Sequence, residues 1–342
     1  MIYLIILLIL LVLSLTKDKM ITSNRIFYYG IMICMVVIAG GRGSEVGVDT
    51  QAYNLMFKDI SHNGYLYYVE PGWNYLNIVA SKMSLSFNAL ITVISLITLL
   101  PIFILSKKLT TNPYIPIFIY FALHIYCASF NVMRQYASIS YVLLVYYFYD
   151  NKKWLKAIIA FFIAISIHKS STLVLPVLIA LKYINFSRIR GLGFYLLCAF
   201  IIGSVANDSF FSIFATEYSG YIERGIYRES NAAAFIFAFV VGCFSLWLYT
   251  LIPNDKRNTM WCNLYVISIF VLLLTFRLQY GARVYVICSI SQLYFIPYLF
   301  KVNRTFTTNS LKLFVYGYYV VVFMRMWLLN ANDIMPYTNI WF

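Results

Sequence analysis

The chain has 342 residues, 62% of them hydrophobic and 11% charged, with a mean hydropathy of +0.78. Water-soluble domains carry about 25% charged residues. The chain therefore lacks the polar side chains to cover a solvated globule, which rules out a water-soluble catalytic domain and makes it an all-α polytopic membrane protein. Its net charge of +14 is a topology signal rather than a nucleic-acid footprint, as the placement of the basic residues shows.

Apolar stretches run over 2–16, 25–40, 87–106, 114–130, 134–149, 155–168, 170–184, 192–206, 233–252, 261–276, 284–300 and 311–329. A crossing needs about 20 apolar residues, so these predict about twelve transmembrane helices (10–13) in a single integral membrane domain over residues 1–342. The first stretch has no basic residue before it and no small-residue cleavage site after it, and is expected to be a retained helix rather than a signal peptide. The 154–186 region is short for two crossings and reads as a tight hairpin or a re-entrant pair of half-helices around His168.

Basic residues collect in alternating loops, among them Lys17, Lys19 and Arg25, Lys107 and Lys108, Lys152 and Lys153, Arg188 and Arg190, Lys256 and Arg257, and Lys301. These loops hold sixteen of the 26 basic residues and three of the 12 acids, leaving ten and nine for the other side. By the positive-inside rule the basic loops are cytoplasmic, which puts both termini outside. The six cysteines are scattered through apolar runs without paired spacing and read as packing residues.

No inner loop contains a glycine-rich phosphate-binding run or paired aspartates for Mg²⁺, so chemistry is expected on the outer face. The longest outer segment, 41–86, opens with glycines around Arg42, continues through Asp49, Thr50 and Tyr53 to Glu70-Pro71-Gly72-Trp73, and is expected to carry an interfacial helix. In that helix Trp73, Leu76, Val79, Ala80, Met83 and Phe87 share one face. The second segment, Phe130 to Tyr136, sets Asn131, Arg134 and Gln135 on one helical face at a span end. There an arginine is costly unless paired or snorkelling.

The third outer segment contains His168, Lys169, Ser170 and Ser171. A lysine neighbour favours a neutral imidazole able to accept a proton. His62 falls in a loop, and His124 reads as a packing residue within a span. The fourth runs from Arg277 through Gln279, Tyr280 and Gly281 to Arg283. Gly281 ends one helix and frees the next, which turns both arginines toward one outer vestibule. The remaining loop, 207–232, is expected to be a solvated mixed-charge loop or a lid.

Arg42, Arg134, Arg277 and Arg283 together suit a phosphate at headgroup depth, because guanidinium forks match phosphate oxygens bidentately. A ligand with a phosphate there and its body in lipid is a polyprenyl-linked substrate. Outer aromatics such as Tyr65, Tyr67, Tyr68 and Trp73 suit sugar faces and also the membrane interface.

Taken in order, Val46-Gly47-Val48-Asp49-Thr50 with Tyr53, Glu70-Pro71-Gly72, Phe130-Asn131 with Arg134-Gln135, His168-Lys169-Ser170 and Arg277…Arg283 resemble the Wzy/EpsG-like bacterial polysaccharide repeat-unit polymerases. The resemblance covers about residues 40–285. It implies a multi-span enzyme of the cytoplasmic membrane with a membrane glycosyltransferase (GT-C-like) fold and an outward-facing site. It further implies an undecaprenyl-pyrophosphate-linked glycan donor, a lipid-linked acceptor, no metal or cofactor, and a chain-length regulator as a further partner.

On this reading Arg134, Arg277, Arg283 and Arg42 hold the pyrophosphate. His168 is the first choice of base, with Glu70 or Asp49 as alternatives, in an inverting glycosyl transfer. Asn131, Gln135, Tyr53, Tyr280 and Ser171 complete the substrate contacts. The competing readings are a lipid-linked oligosaccharide flippase or transporter and an O-antigen ligase. The absence of a visible inverted repeat disfavours the transporter.

Overall fold

The computed structural model describes residues 1–205, 232–278, 281–303 and 309–340. It is helical throughout, with no strand among the described residues beyond a single bridge between Arg42 and Asn339. The chain divides into two compact units, one of residues 1–172 and 305–342, the other of 173–304.

The first unit contains α1 (Ile2–Leu15), α2 (Lys19–Ser23), α3 (Arg25–Gly40), α4 (Thr50–Asn63), α5 (Pro71–Lys82), α6 (Phe87–Leu109), α7 (Tyr114–Ala122), α8 (Ile125–Ala128), α9 (Met133–Asp150) and α10 (Trp154–Ile167). The second contains α11 (Val174–Tyr183), α12 (Leu192–Val205), α13 (Ala232–Thr250), α14 (Met260–Thr275), α15 (Gly281–Ser289) and α16 (Gln292–Val302). The last helix, α17 (Asn309–Leu328), returns to the first unit and packs on α7, where Phe121 stacks on Phe323.

Every apolar stretch of the sequence is helical, but two are interrupted. The 114–130 stretch breaks after Ala122, where His124 takes a left-handed φ of 62°. The 284–300 stretch turns at Ile290 and Ser291 between α15 and α16. Among the described residues, three helical stretches are long and apolar enough to cross a membrane: Phe87–Leu109, Arg283–Val302 and Ser310–Leu328. Six further apolar helices are shorter, among them α1, α3 and α10. At 1.5 Å per residue the 14 residues of α10 rise about 21 Å, less than the ~30 Å hydrocarbon core. The short helices of the 154–186 region thus fit half-helices at least as well as full crossings. The outer faces of α1 and α10 present Leu8, Val12, Leu155 and Phe162, as a helix in lipid requires.

Residues 41–86 are not an open loop. Tyr53 and Phe57 of α4 and Trp73 and Ala80 of α5 join Leu90, Ile91 and Ile94 of α6 and Met133 and Ala137 of α9 in one buried cluster. The buried face of α5 differs from the apolar stripe expected of it: Trp73, Asn74, Asn77 and Ala80 are buried, whereas Met83 is exposed. The reason is hydrogen bonding. The Asn74 amide donates to the carbonyls of Leu66 and Val69 at 2.9 and 2.8 Å, and Asn77 donates to Trp73 at 2.8 Å. The helix therefore packs as a protein-facing element rather than lying on a bilayer by a hydrocarbon stripe.

The carboxy-terminal segment closes over this end of the unit. Gly43 N–H donates to Thr338, Gly47 N–H to Asp333 and Ile340 N–H to Gly41. The Tyr3 hydroxyl donates to Ile334 and that of Tyr337 to Ile38. The amino-terminal end of α1 and this strap thus meet beside residues 41–49.

Candidate active site

Three chain segments meet where α5 begins, α9 begins and α10 ends. Glu70 occupies the N-cap position of α5, with Pro71 in the first turn, where proline's missing N–H costs nothing. Its carboxylate does not cap the helix. One oxygen, Oε2, accepts from Arg134 Nη1 at 2.6 Å, and the other, Oε1, meets His168 Nδ1 at 2.7 Å. The Lys169 backbone N–H also points to Oε1 at 3.4 Å.

Gly72 makes this approach possible. A Cβ there would lie 2.7 Å from the Ser166 carbonyl oxygen, so only glycine lets the start of α5 press against the end of α10. Arg134 sits in the first turn of α9, where a cation opposes the helix dipole. Glu70 offsets that cost. The guanidinium also lies 6.0 Å from the centre of the Tyr53 ring, which itself packs 5.4 Å from Trp73.

The cluster is half-buried, with side-chain exposures of 24% for Arg134, 10% for Glu70 and 15% for His168. Burial alone would raise the Glu70 pKa; the hydrogen bond with His168 and the positive charge of Arg134 outweigh it and pull the carboxyl down to about 2. Glu70 is thus an anion at any working pH. An anion at Nδ1 selects the tautomer that carries its proton there, which leaves Nε2 as a lone-pair acceptor. That nitrogen has no hydrogen-bond partner among the described residues. The chemistry available is proton acceptance by an imidazole oriented and electrostatically supported by a carboxylate.

Asp49 opens α4, half-buried and one turn before Tyr53, whose N–H bonds its carbonyl. The structure thus brings together Glu70, His168, Arg134 and Tyr53. Several other expected contacts are structural. Contrary to an anion-facing role, Arg42 is buried, donating to the carbonyls of Ala39 and Phe130 and lying 4.7 Å from the Phe130 ring centre. Burial lowers its pKa to about 10, so it stays charged at neutral pH.

Asn131 donates to Asn332 in the strap at 2.8 Å, against Gly47, whose φ of 95° no side chain tolerates easily. Gln135 is buried. Ser171 is buried against the Ser138 hydroxyl and fixes the turn that carries His168 onto α9. These four positions are held inside the protein, where a substrate could reach them only by displacing packed neighbours.

In the second unit Arg277 lies in the turn after α14, donating to the Ser204 carbonyl and lying 5.5 Å from the Phe235 ring centre. Arg283 is exposed in the first turn of α15. Tyr280, and the 207–232 loop except for its last residue, lie outside the described residues.

Residue types alone could have paired Glu70 with His168 only if Gly72 had been read as a close approach. The buried Asn74 carried a signal of its own, since Trp73, Asn74, Asn77 and Ala80 repeat at helical spacing.

Among the described residues, helices with apolar outer faces and an ionised cluster gathered at helix ends mark a membrane protein with a built polar site. A model of the EpsG family matches residues 25–339, and the chain belongs to that family. Membership gives it a polysaccharide-polymerase type of role with glycosyltransferase-like activity. No curated protein and no solved structure matches the chain.

Proposed function

We propose that the protein joins undecaprenyl-pyrophosphate-linked oligosaccharide repeat units into an O-antigen, capsular or exopolysaccharide chain on the outer face of the cytoplasmic membrane. The observation that carries this reading is the Glu70–His168 contact of 2.7 Å, which prepares an imidazole to take a proton from an attacking hydroxyl. As the acceptor sugar attacks the anomeric carbon, its hydroxyl proton passes to His168 Nε2. The new imidazolium is stabilised by the Glu70 anion, and the bond to the diphosphate breaks with its electron pair leaving on oxygen. Attack from the face opposite the leaving group inverts the anomeric centre.

Arg134 holds Glu70 in place and adds positive potential. Arg277 and Arg283 are the proposed diphosphate contacts, and Asp49 is the reserve base. The topology that accompanies this reading has about twelve crossings, both termini outside and the Glu70 site facing outward. A chain-length regulator is a proposed partner, and no metal or cofactor is proposed.

Purified protein in lipid nanodiscs, given one lipid-linked repeat unit, tests the reading. Longer lipid-linked chains that disappear in His168→Ala support it. Transfer of the glycan to a lipid core would make the protein a ligase, and movement without new bonds a flippase. Undiminished chain growth in both His168→Ala and Glu70→Ala would overturn the assigned base.

A further inference from the structure

A groove of about 480 Å³ adjoins the charged cluster in the first unit. Tyr65, Tyr67 and Tyr68 line it from the segment before α5, Phe162 and Ser166 line it from α10, and Glu70 is shared with the His168 contact. Tyr67 is 95% exposed and Tyr68 75%. Rings so open contribute almost nothing to the core. Tyr65 and Tyr67 nonetheless pack edge to face with centres 5.5 Å apart.

Their backbone is also fixed. The fully buried Asn74 side chain accepts from Leu66 N–H at 3.0 Å and donates to the carbonyls of Leu66 and Val69. A buried amide is thus committed to shaping a short stretch whose three tyrosines are exposed, which is how a recognition surface is preorganised. Tyrosines on such a frame offer flat amphipathic area at low entropy cost.

The charges lining the groove select its ligand. Glu70 and Lys169 are the charged residues in the lining; Glu70 is already paired with Arg134, and Lys169 alone offers no guanidinium fork to clamp a diphosphate. A neutral, hydroxyl-rich ring suits the site instead, with its C–H face on the tyrosines and its hydroxyls toward the carboxylate side. We propose that Tyr65, Tyr67 and Tyr68 form the acceptor-sugar subsite of the Glu70–His168 centre, an inference that rests on the polymerase reading above. Seated there, the acceptor saccharide lies beside the carboxylate that orients the base. The tyrosines then set acceptor preference without touching the reacting bond.

The test uses the full-length protein in nanodiscs and the repeat-unit oligosaccharide released by mild acid from the host strain's lipid-linked pool. Saturable binding is expected for the wild type. Tyr67→Ala with Tyr68→Ala should weaken it about tenfold or more, with the melting temperature held because both rings are exposed. The corresponding Phe pair should bind within about twofold of the wild type, because the ring face is kept.

In the elongation assay the Ala pair should raise the acceptor KM and leave kcat nearly intact. Unweakened binding in the Ala pair would overturn the proposal and leave the tyrosines as membrane-interface anchors; so would a wild type that does not bind the oligosaccharide. His168→Ala separates this from the parent reading, since it should stop elongation while binding the oligosaccharide normally. A His168→Ala protein that still elongates while the Ala pair loses binding removes the base and keeps the subsite.

Discussion

Glu70 and His168 are 98 residues apart in the chain and 2.7 Å apart in space. A positioned base accelerates proton transfer about 10²–10⁴-fold, so His168→Ala should cost that much in elongation rate. Glu70→Gln keeps the shape but loses the anion, and should cost about tenfold or more. Product-length analysis of purified variants on one lipid-linked substrate checks both.

Acid should unmake this cluster in a defined window. The folded Glu70 carboxyl sits at about 2, below its ordinary value of 4.5. Its contribution to stability is therefore complete above the ordinary value and lost as pH falls from about 4.5 toward 2. The melting-temperature gap between the wild type and Glu70→Gln should shrink as pH falls from about 4.5 toward 2. A gap that widens across that range would contradict the ion pairing.

Gly72→Ala adds one methyl group within 2.7 Å of a backbone oxygen. Either α5 or the end of α10 must move, at a cost of about 1–3 kcal/mol, and the shift separates Glu70 from His168. Elongation should fall at least as far as in Glu70→Gln, together with a lowered melting temperature. Gly64→Ala would change only an open position, and its φ of 78° makes it a control for backbone strain without crowding.

Arg42→Met should destabilise the protein by about 2–3 kcal/mol, because two carbonyls lose a charged donor inside the fold. Arg42→Lys should rescue little, since an ammonium cannot reach both carbonyls with the fork geometry of guanidinium. Thermal unfolding of both variants checks this, and an undisturbed melting temperature in Arg42→Met would return Arg42 to the surface.

Composition and charge alternation made the helical membrane class legible, because hydropathy is additive along the chain. The chemistry was legible as residue types: Glu70 stood out in the long outer segment, and His168 and Arg134 as ionisable groups at span ends, where burial is costly. Their partnership was not, since it depends on Gly72 and on the buried Asn74, and close approach leaves no mark on periodicity. Arg42, Asn131 and Ser171 had the same outward chemistry as Arg134 and His168. What sets them apart is tertiary enclosure by the strap and by α9, which residue spacing does not record. The break at His124 was hidden for a related reason: an uninterrupted apolar run looks the same whether or not the helix inside it bends.

The strap has a consequence for biogenesis. The first unit is assembled from both ends of the chain, with residues 173–304 synthesised between its two parts. Segments emerge from the ribosome in order, so the contacts of Tyr3 with Ile334 and of Gly47 with Asp333 must wait until residues 333 and 334 have been made. A nascent chain stopped at residue 300 would hold Glu70 and His168 yet leave residues 41–47 unfastened. Membrane quality control would then meet an unfinished protein whose proposed base and its carboxylate partner are already made.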